Sequence, residues 1–333
     1  MGLCHANLRS RYAGILMAIA SAVVTTFTVS NASAQAYPSK TIKIVVPYTP
    51  GTGYDSIARI VGPALAERLG VPVVVENMPG ASGTIGAATV ARAPADGATL
   101  LMIGEGTMAS AYLYKKLSFN PLTDFAPITL AGNGTLMLVT NPQSGIKSAV
   151  NLIAKAKAEP NQLTFASPGV GTSQFLKMAL FNDSAGIKML HIPYKGSAGA
   201  LNDLIGGVVT AALVPIHQAM PHVTGGKLVP LAIISPRRNA KAPDVPTLKE
   251  VGINGVDADM WYAFVAPKET PEAIVSRLNA ELRSIIAQPD IKSGLEKTGL
   301  EVKTSTSSEM RAIMQNESDT VGQIIRNNNI SAE

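Results

Sequence analysis

Residues 42–55 read Ile-Lys-Ile-Val-Val-Pro-Tyr-Thr-Pro-Gly-Thr-Gly-Tyr-Asp. The run 42–47 is rich in β-branched residues and reads as a buried strand, and 48–53 form a Pro/Gly turn. Beyond the turn Ile57, Ala58, Ile60, Val61, Ala64, Leu65 and Leu69 recur at helical spacing, and Gly70 closes that helix. A second strand at 71–76, a Gly-rich loop at 79–83, a helix at 85–93 and a third strand at 99–103 follow. Strand and helix in regular alternation predict a parallel sheet with crossover helices.

The pattern returns further on. A strand at 162–166 leads through a Gly-rich turn at 167–171 into a helix at 172–181, and a strand at 188–192 leads through Tyr194-Lys195-Gly196 into a helix at 198–205. Strands at 208–214 and 229–235 complete this unit. Between the units, strands at 125–131 and 136–140 are linked by Gly132-Asn133-Gly134, and 236–246 is a proline-bearing connection. A strand at 261–267 and a helix with Ile274, Leu278, Leu282 and Ile285 on one face come last. The expected architecture is α/β with two lobes, 35–133 plus 241–333 and 134–240, joined by two crossover segments that flank a cleft.

Ahead of these units, Arg9 and Arg11, an uncharged apolar stretch at 13–29 and Ala32-Ser33-Ala34 read as a signal peptide over residues 1–34, cleaved after Ala34. A retained membrane anchor is the weaker reading, because the stretch is short and interrupted by Ser and Thr. Cys4, the single cysteine, falls inside this leader. The mature chain therefore has no thiol nucleophile, cysteine zinc site or disulfide, and export to the periplasm is expected.

At 333 residues and 46% hydrophobic content the chain can bury a substantial core. Its net charge of +5 is spread along the chain without the Lys/Arg clusters that nucleic acid requires, and it suits an acidic small molecule. Each unit offers a strand, a Gly-rich turn and a helix start: Tyr48, Gly51, Thr52, Gly53, Tyr54 and Asp55 in the first, Ser167, Gly169, Gly171, Thr172 and Ser173 in the second. Glycines let backbone approach a ligand, and unpaired amides of a first helical turn attract an anion. For either loop alone, a glycine turn capping a helix is the plainer reading.

Catalytic signatures are missing. Gly80-Ala81-Ser82-Gly83 is not a nucleophile elbow, Gly51-x-Gly53 lacks the third dinucleotide glycine, and no His-Glu-x-x-His or phosphate loop occurs. His191, in an apolar run, reads as structural. No enzyme activity, cofactor or metal is expected.

The chain resembles the Bug family, the substrate-binding receptors of tripartite tricarboxylate transporters. The likeness rests on Tyr37-Pro38-Ser39-Lys40, the 44–55 strand and loop, Val73-Val74-Val75-Glu76-Asn77 with Pro79-Gly80-Ala81-Ser82-Gly83, Ala95-Asp96-Gly97, Leu113-Tyr114-Lys115-Lys116-Leu117 and Asp124-Phe125-Ala126-Pro127. It continues through His191-Ile192-Pro193-Tyr194-Lys195-Gly196, Ala242-Pro243-Asp244-Val245-Pro246-Thr247, Trp261-Tyr262 and Arg277-Leu278-Asn279. The resemblance implies a two-lobed periplasmic binding protein of type II, the Venus-flytrap fold, which captures a carboxylated solute as a monomer. It also implies a membrane permease with one large and one small subunit as partner; a receptor that signals to a membrane sensor is the alternative. The implied ligand loops are 48–55 and 167–173, bordered by 104–107 with Thr107. Where many members place Asp-Asn, this chain has Val214-Pro215 followed by Ile216 and His217, which argues against an amino-acid ligand and for a more apolar wall. His217 reads equally as a carboxylate contact or as structural. Glu105 beside an anion site is expected to point away or to pair with Lys195.

Overall fold

The computed structural model describes residues 37–256, 259–328, 330 and 331; the leader lies outside the described residues. Two sheets organise the molecule. Strands β1 (Ile42–Val46), β2 (Val73–Asn77), β3 (Thr99–Ile103), β4 (Phe125–Gly134), β10 (Met260–Pro267) and β11 (Leu300–Glu301) form the first, in the order β11-β4-β10-β3-β1-β2. Strands β5 (Leu136–Thr140), β6 (Thr164–Ser167), β7 (Leu190–Pro193), β8 (Ala211–Pro215) and β9 (Val229–Ile234) form the second, in the order β7-β6-β8-β5-β9. In the first sheet β1 runs parallel to β2 and β3, and in the second β6 runs parallel to β7 and β8. This is the two-lobed α/β fold of periplasmic binding proteins, with the chain crossing between the lobes twice.

Helices alternate with the parallel strands: α1 (Gly53–Leu69), α2 (Thr84–Ala91) and α3 (Glu105–Leu113) in the first lobe, then α4 (Ala149–Ala158), α5 (Ser173–Ala185), α6 (Ser197–Ile205) and α7 (Ile216–Thr224) in the second. The chain returns to the first lobe for α8 (Glu272–Ile286), α9 (Pro289–Lys297) and α10 (Ser307–Asn327). Strand β1 is buried at Ile42, Ile44, Val45 and Val46, while Lys43 reaches outward to Glu76 at 2.6 Å. Helix α1 turns Ile57, Ala58, Val61 and Leu65 onto this sheet. It ends where Gly70, at φ 69°, bonds back to the Ala66 carbonyl, a left-handed cap that glycine adopts without strain.

Two local readings change. Residues 132–134 are not a linker: β4 runs on through them and pairs with β10 and β11, so Thr135 alone separates β4 from β5. Gly132 is needed there because a Cβ would lie 2.9 Å from the Glu301 carbonyl oxygen of β11. Residues 105–107 are not a loop but the first turn of α3. The structure also contains α4, α7, α9 and α10, which periodicity did not single out, although Thr306 and Glu309 form a capping box at the start of α10.

The two crossings meet at one carboxylate. Asp259 accepts hydrogen bonds from Thr135 Oγ1 (3.2 Å) and Ser235 Oγ (3.3 Å), one residue from each passage between the sheets. Nearby, Lys177 of α5 in the second lobe reaches Glu105 of α3 in the first at 3.3 Å, with both side chains buried. A charge that loses its partner in such a setting has no water to replace it. Lys177→Met is therefore expected to lower stability by about 3–5 kcal/mol, measured by urea unfolding. Adding Glu105→Gln should recover much of that loss. A single-variant loss below about 1 kcal/mol would show instead that the pair is effectively solvated.

Candidate functional site

In a sheet of parallel strands, the turns at the carboxyl ends all open toward the same side, and the following helices begin there. Both lobes direct that side at one another. Between them lies a cleft of about 540 Å³, within the range of small-molecule sites. The first lobe lines it with Pro47, Tyr48, Thr49, Thr52, Gly53 and Tyr54 after β1, residues 79–83 after β2, and Met260 and Tyr262 of β10. The second lobe adds Pro168, Gly169, Thr172, Ser173 and Gln174 after β6, residues 194–197 after β7, and Pro215 and Gln218 after β8.

Five helices thus begin at the cleft. Helices α1, α5 and α6 open with the lining residues Gly53, Ser173 and Ser197, while α2 and α7 follow directly on Gly83 and Pro215. No side chain caps α1, α2, α6 or α7, and α5 has only Thr172 accepting from the Phe175 amide at 3.4 Å. First-turn amides have no partner within their own helix and carry the positive end of its dipole, so the cleft presents donors to an anion. Two leading amides are already taken, that of α7 at Ile216 by the Thr135 carbonyl and that of α2 at Thr84 by the Ala81 carbonyl.

Of the residues singled out from sequence, Tyr48, Thr52, Gly53, Tyr54, Gly169, Thr172 and Ser173 come together on the cleft. The others sit elsewhere, each for a visible reason. Asp55 turns inward to accept from the Gly51 amide, Arg59 and Asn77, so Asp55 and Gly51 shape the loop from behind. Burial pushes the Asp55 carboxyl up, but these donors outweigh it and hold the group below its ordinary range. Ser167 is engaged with His191 Nε2 at 2.7 Å, and the imidazole packs against Phe165 and Phe175 with centroids 4.8 and 4.6 Å away. Gly171 packs behind the cleft against Leu113 and Gly106, and Thr107 is buried in α3. Ile216 is fully buried in the second lobe's apolar cluster, where it packs rather than lining a wall. His217 lies against Gly299, outside the cleft lining, and burial lowers it to about 4, so it is neutral near pH 7.

The sequence reading missed several lining residues. The 79–83 loop was visible as Gly-rich, yet nothing local marked it as a cleft lip. There Ala81 (φ 44°) and Ser82 (φ 53°) are left-handed non-glycine residues, and Ser82 Oγ donates across the cleft to the Val170 carbonyl at 2.5 Å. Backbone held in that region costs of order 1–3 kcal/mol per residue and persists where surroundings enforce it. Met260 and Tyr262 arrive from β10, far along the chain, which no local pattern announces. Lys195 is the one charged side chain among the described lining residues, and Glu105 pairs with Lys177 rather than with it. Among the described residues no three His, Cys, Asp or Glu side chains gather as a metal site requires.

A cleft between two α/β lobes, lined by helix starts and poor in ionisable groups, defines a solute-binding protein of the periplasmic type. Residues 57–330 match the model of the tripartite tricarboxylate transporter family receptor, and the chain belongs to that family. Its fold is that of the periplasmic binding protein BugD, with 29% identity, a TM-score of 0.81 and coverage of 89% of this chain and 99% of BugD. Rpa4515 of R. palustris, solved with adipate, is 28% identical with a TM-score of 0.83 over 89% of this chain and 99% of its own. MatC of Rhodopseudomonas palustris, solved with bound malate, is 30% identical with a TM-score of 0.80 over 87% of this chain and 100% of its own.

Behind the cleft, Trp261 Nε1 donates to Glu317 Oε2 at 3.0 Å. Burial, reinforced by the negative charge of Glu105, pushes the Glu317 carboxyl up to about 7, against the pull of Lys177. The folded state therefore holds more protons than the unfolded one, and this contribution is complete at low pH and is lost as pH rises through 7. His191 and His217, both lowered to about 4 by burial, act in the opposite sense, but only below about pH 6.5. Between about pH 6.5 and 8 the melting temperature should fall in the native protein and flatten in Glu317→Gln. Equal slopes in the two proteins would contradict the assignment.

Proposed function

We propose that this chain is a periplasmic receptor that captures a small organic carboxylate, a di- or tricarboxylate or an aromatic acid. It hands the acid, chemically unchanged, to a tripartite tricarboxylate-type permease with one large and one small membrane subunit. The observation that carries this reading is the convergence of five helix amino termini on a cleft with no acidic lining residue among the described residues. The structures solved with adipate and malate support it, since both ligands are carboxylates.

The carboxylate is held by the first-turn amides of α1 and α5, at Gly53 and Tyr54 on one side and Ser173 on the other, with Thr52 and Lys195 near the rim. The lobes, 35–133 with 241–333 and 134–240, close on it by bending at Thr135 and at the return passage beyond Ser235. Export by a leader cleaved after Ala34 and action as a monomer complete the reading.

The test is thermal unfolding of the purified protein against aliphatic, amino and aromatic carboxylates. A ligand at a hundredfold excess over its Kd stabilises by about 2.7 kcal/mol, so a true ligand gives a clear, selective rise. No rise with any acid would overturn the receptor reading. The two hydroxyls of the second loop should separate in the same assay. Thr172 caps its own helix, accepting from the Phe175 amide at 3.4 Å, and donates back to the Gly169 carbonyl of the loop at 2.8 Å, so Thr172→Ala should lower stability by about 1 kcal/mol. Ser173 lines the cleft, so Ser173→Ala should weaken binding by about 1 kcal/mol and leave the ligand-free melting temperature nearly unchanged.

A further inference from the structure

Beneath the helix starts, the first lobe builds an aromatic floor. The rings of Tyr48 and Tyr54 lie 4.6 Å apart between centroids at a 31° tilt, and Tyr262 meets Tyr54 edge-on at 4.7 Å. All three line the cleft. Their positions depend on glycines in the surrounding backbone. A Cβ at Gly53 would stand 2.7 Å from the Tyr262 hydroxyl, one at Gly134 2.9 Å from its ring, and one at Gly106 3.0 Å from the Tyr48 hydroxyl. A Cβ at Gly104 would collide with the Tyr54 hydroxyl. These glycines come from α1, the end of β4 and the start of α3, so separate parts of the lobe make room for the same three rings.

Burial raises all three hydroxyls above their ordinary range, so the floor is neutral at physiological pH. The rest of the wall is largely apolar, with Pro47, Pro79, Pro168, Pro215 and Met260 among its residues. Among the described residues, no aspartate or glutamate lines the cleft to receive an ammonium, and no arginine lines it to clamp a second carboxylate.

We infer that the ligand is an aromatic carboxylate without an ammonium group, its ring lying against Tyr48 and Tyr54 and its carboxylate at the helix starts. This rests on the receptor reading above and narrows its ligand class. Aromatic pairing adds to simple burial, and a saturated ring of the same size forgoes that part.

The experiment is calorimetric titration of the native protein with benzoate, cyclohexanecarboxylate, 3-phenylpropanoate, phenylalanine, adipate and malate. Benzoate is expected to bind roughly two- to tenfold more tightly than cyclohexanecarboxylate. Likewise 3-phenylpropanoate should exceed phenylalanine by at least about tenfold, because the added ammonium has no partner. Tyr54→Leu should bring the benzoate-to-cyclohexanecarboxylate ratio close to one, and Tyr54→Phe should keep it. Tighter binding of adipate or malate than of either aromatic acid would overturn the inference and leave the receptor reading standing. So would a native ratio of one, or phenylalanine binding as well as 3-phenylpropanoate. Binding by none of the six acids would overturn both. The native titrations decide the matter even where a tyrosine variant fails to fold.

Discussion

The first amides of an α-helix have no acceptor within the helix, and a parallel sheet places the helices that follow its strands with those amides on one side. Here two such sheets face each other, and α1, α2, α5, α6 and α7 all begin along the cleft between them. The site's polarity is thus a property of backbone direction before any side chain is chosen. That explains how a cleft with Lys195 as the one charged residue among its described lining can still suit an anion. Such a site stays receptive to acids of different length, since amides and partial charges hold a carboxylate without a fixed countercharge geometry. Discrimination then falls to the walls.

The same arrangement requires the lobes to be held in register, and the chain does this with buried charge. Asp259 draws the two crossing segments together through Thr135 and Ser235, and its carboxyl is pushed up by burial despite those bonds. Lys177 enters from the second lobe among Glu105 and Glu317 of the first. An apolar contact of the same size would avoid the cost of desolvating these groups. A charged contact instead depends on position: it is favourable in one arrangement and costly when displaced by a few ångström. For lobes that must return to one relative orientation, that sensitivity is useful in a way that an oily interface is not. Ser82, bridging the lip to the Val170 carbonyl from a left-handed backbone, is a second positional contact between the lobes.

The fold was legible because its signals are local. The valine- and isoleucine-rich 42–47 run, the apolar stripe from Ile57 to Leu69 and the repeat of the pattern after residue 162 each depend on near neighbours in sequence. Helix α10 is polar over most of its length, with Met310, Met314, Val321 and Ile325 on its buried side, and α3 follows β3 with only Gly104 between them, so its first turn reads as loop. The site was legible by halves. Turns after β1 and β6 carry glycine and hydroxyl residues that mark them, and seven of the predicted residues meet on the cleft. Asp55, Ser167 and His217 looked equally eligible by type. Their partners, Arg59 and Asn77, His191, and the Gly299 turn, are what remove them, and those pairings exist only after folding.

The glycines around the tyrosine floor show the converse case, in which a sequence feature gains its meaning only from the fold. Gly53, Gly104, Gly106 and Gly134 lie in three separate stretches of chain, and each alone reads as a turn or helix-start residue. Gly53, Gly106 and Gly134 are not among the positive-φ glycines, so backbone conformation does not demand glycine there. What demands it is close packing: the Tyr262 ring at Gly53 and Gly134, and the Gly171 carbonyl together with the Tyr48 hydroxyl at Gly106. Each glycine lowers the intrinsic stability of the element that carries it, by about 0.5–1 kcal/mol in a helix or strand. The aromatic floor is therefore a built feature of the cleft, independent of the backbone amides that make it receptive to anions.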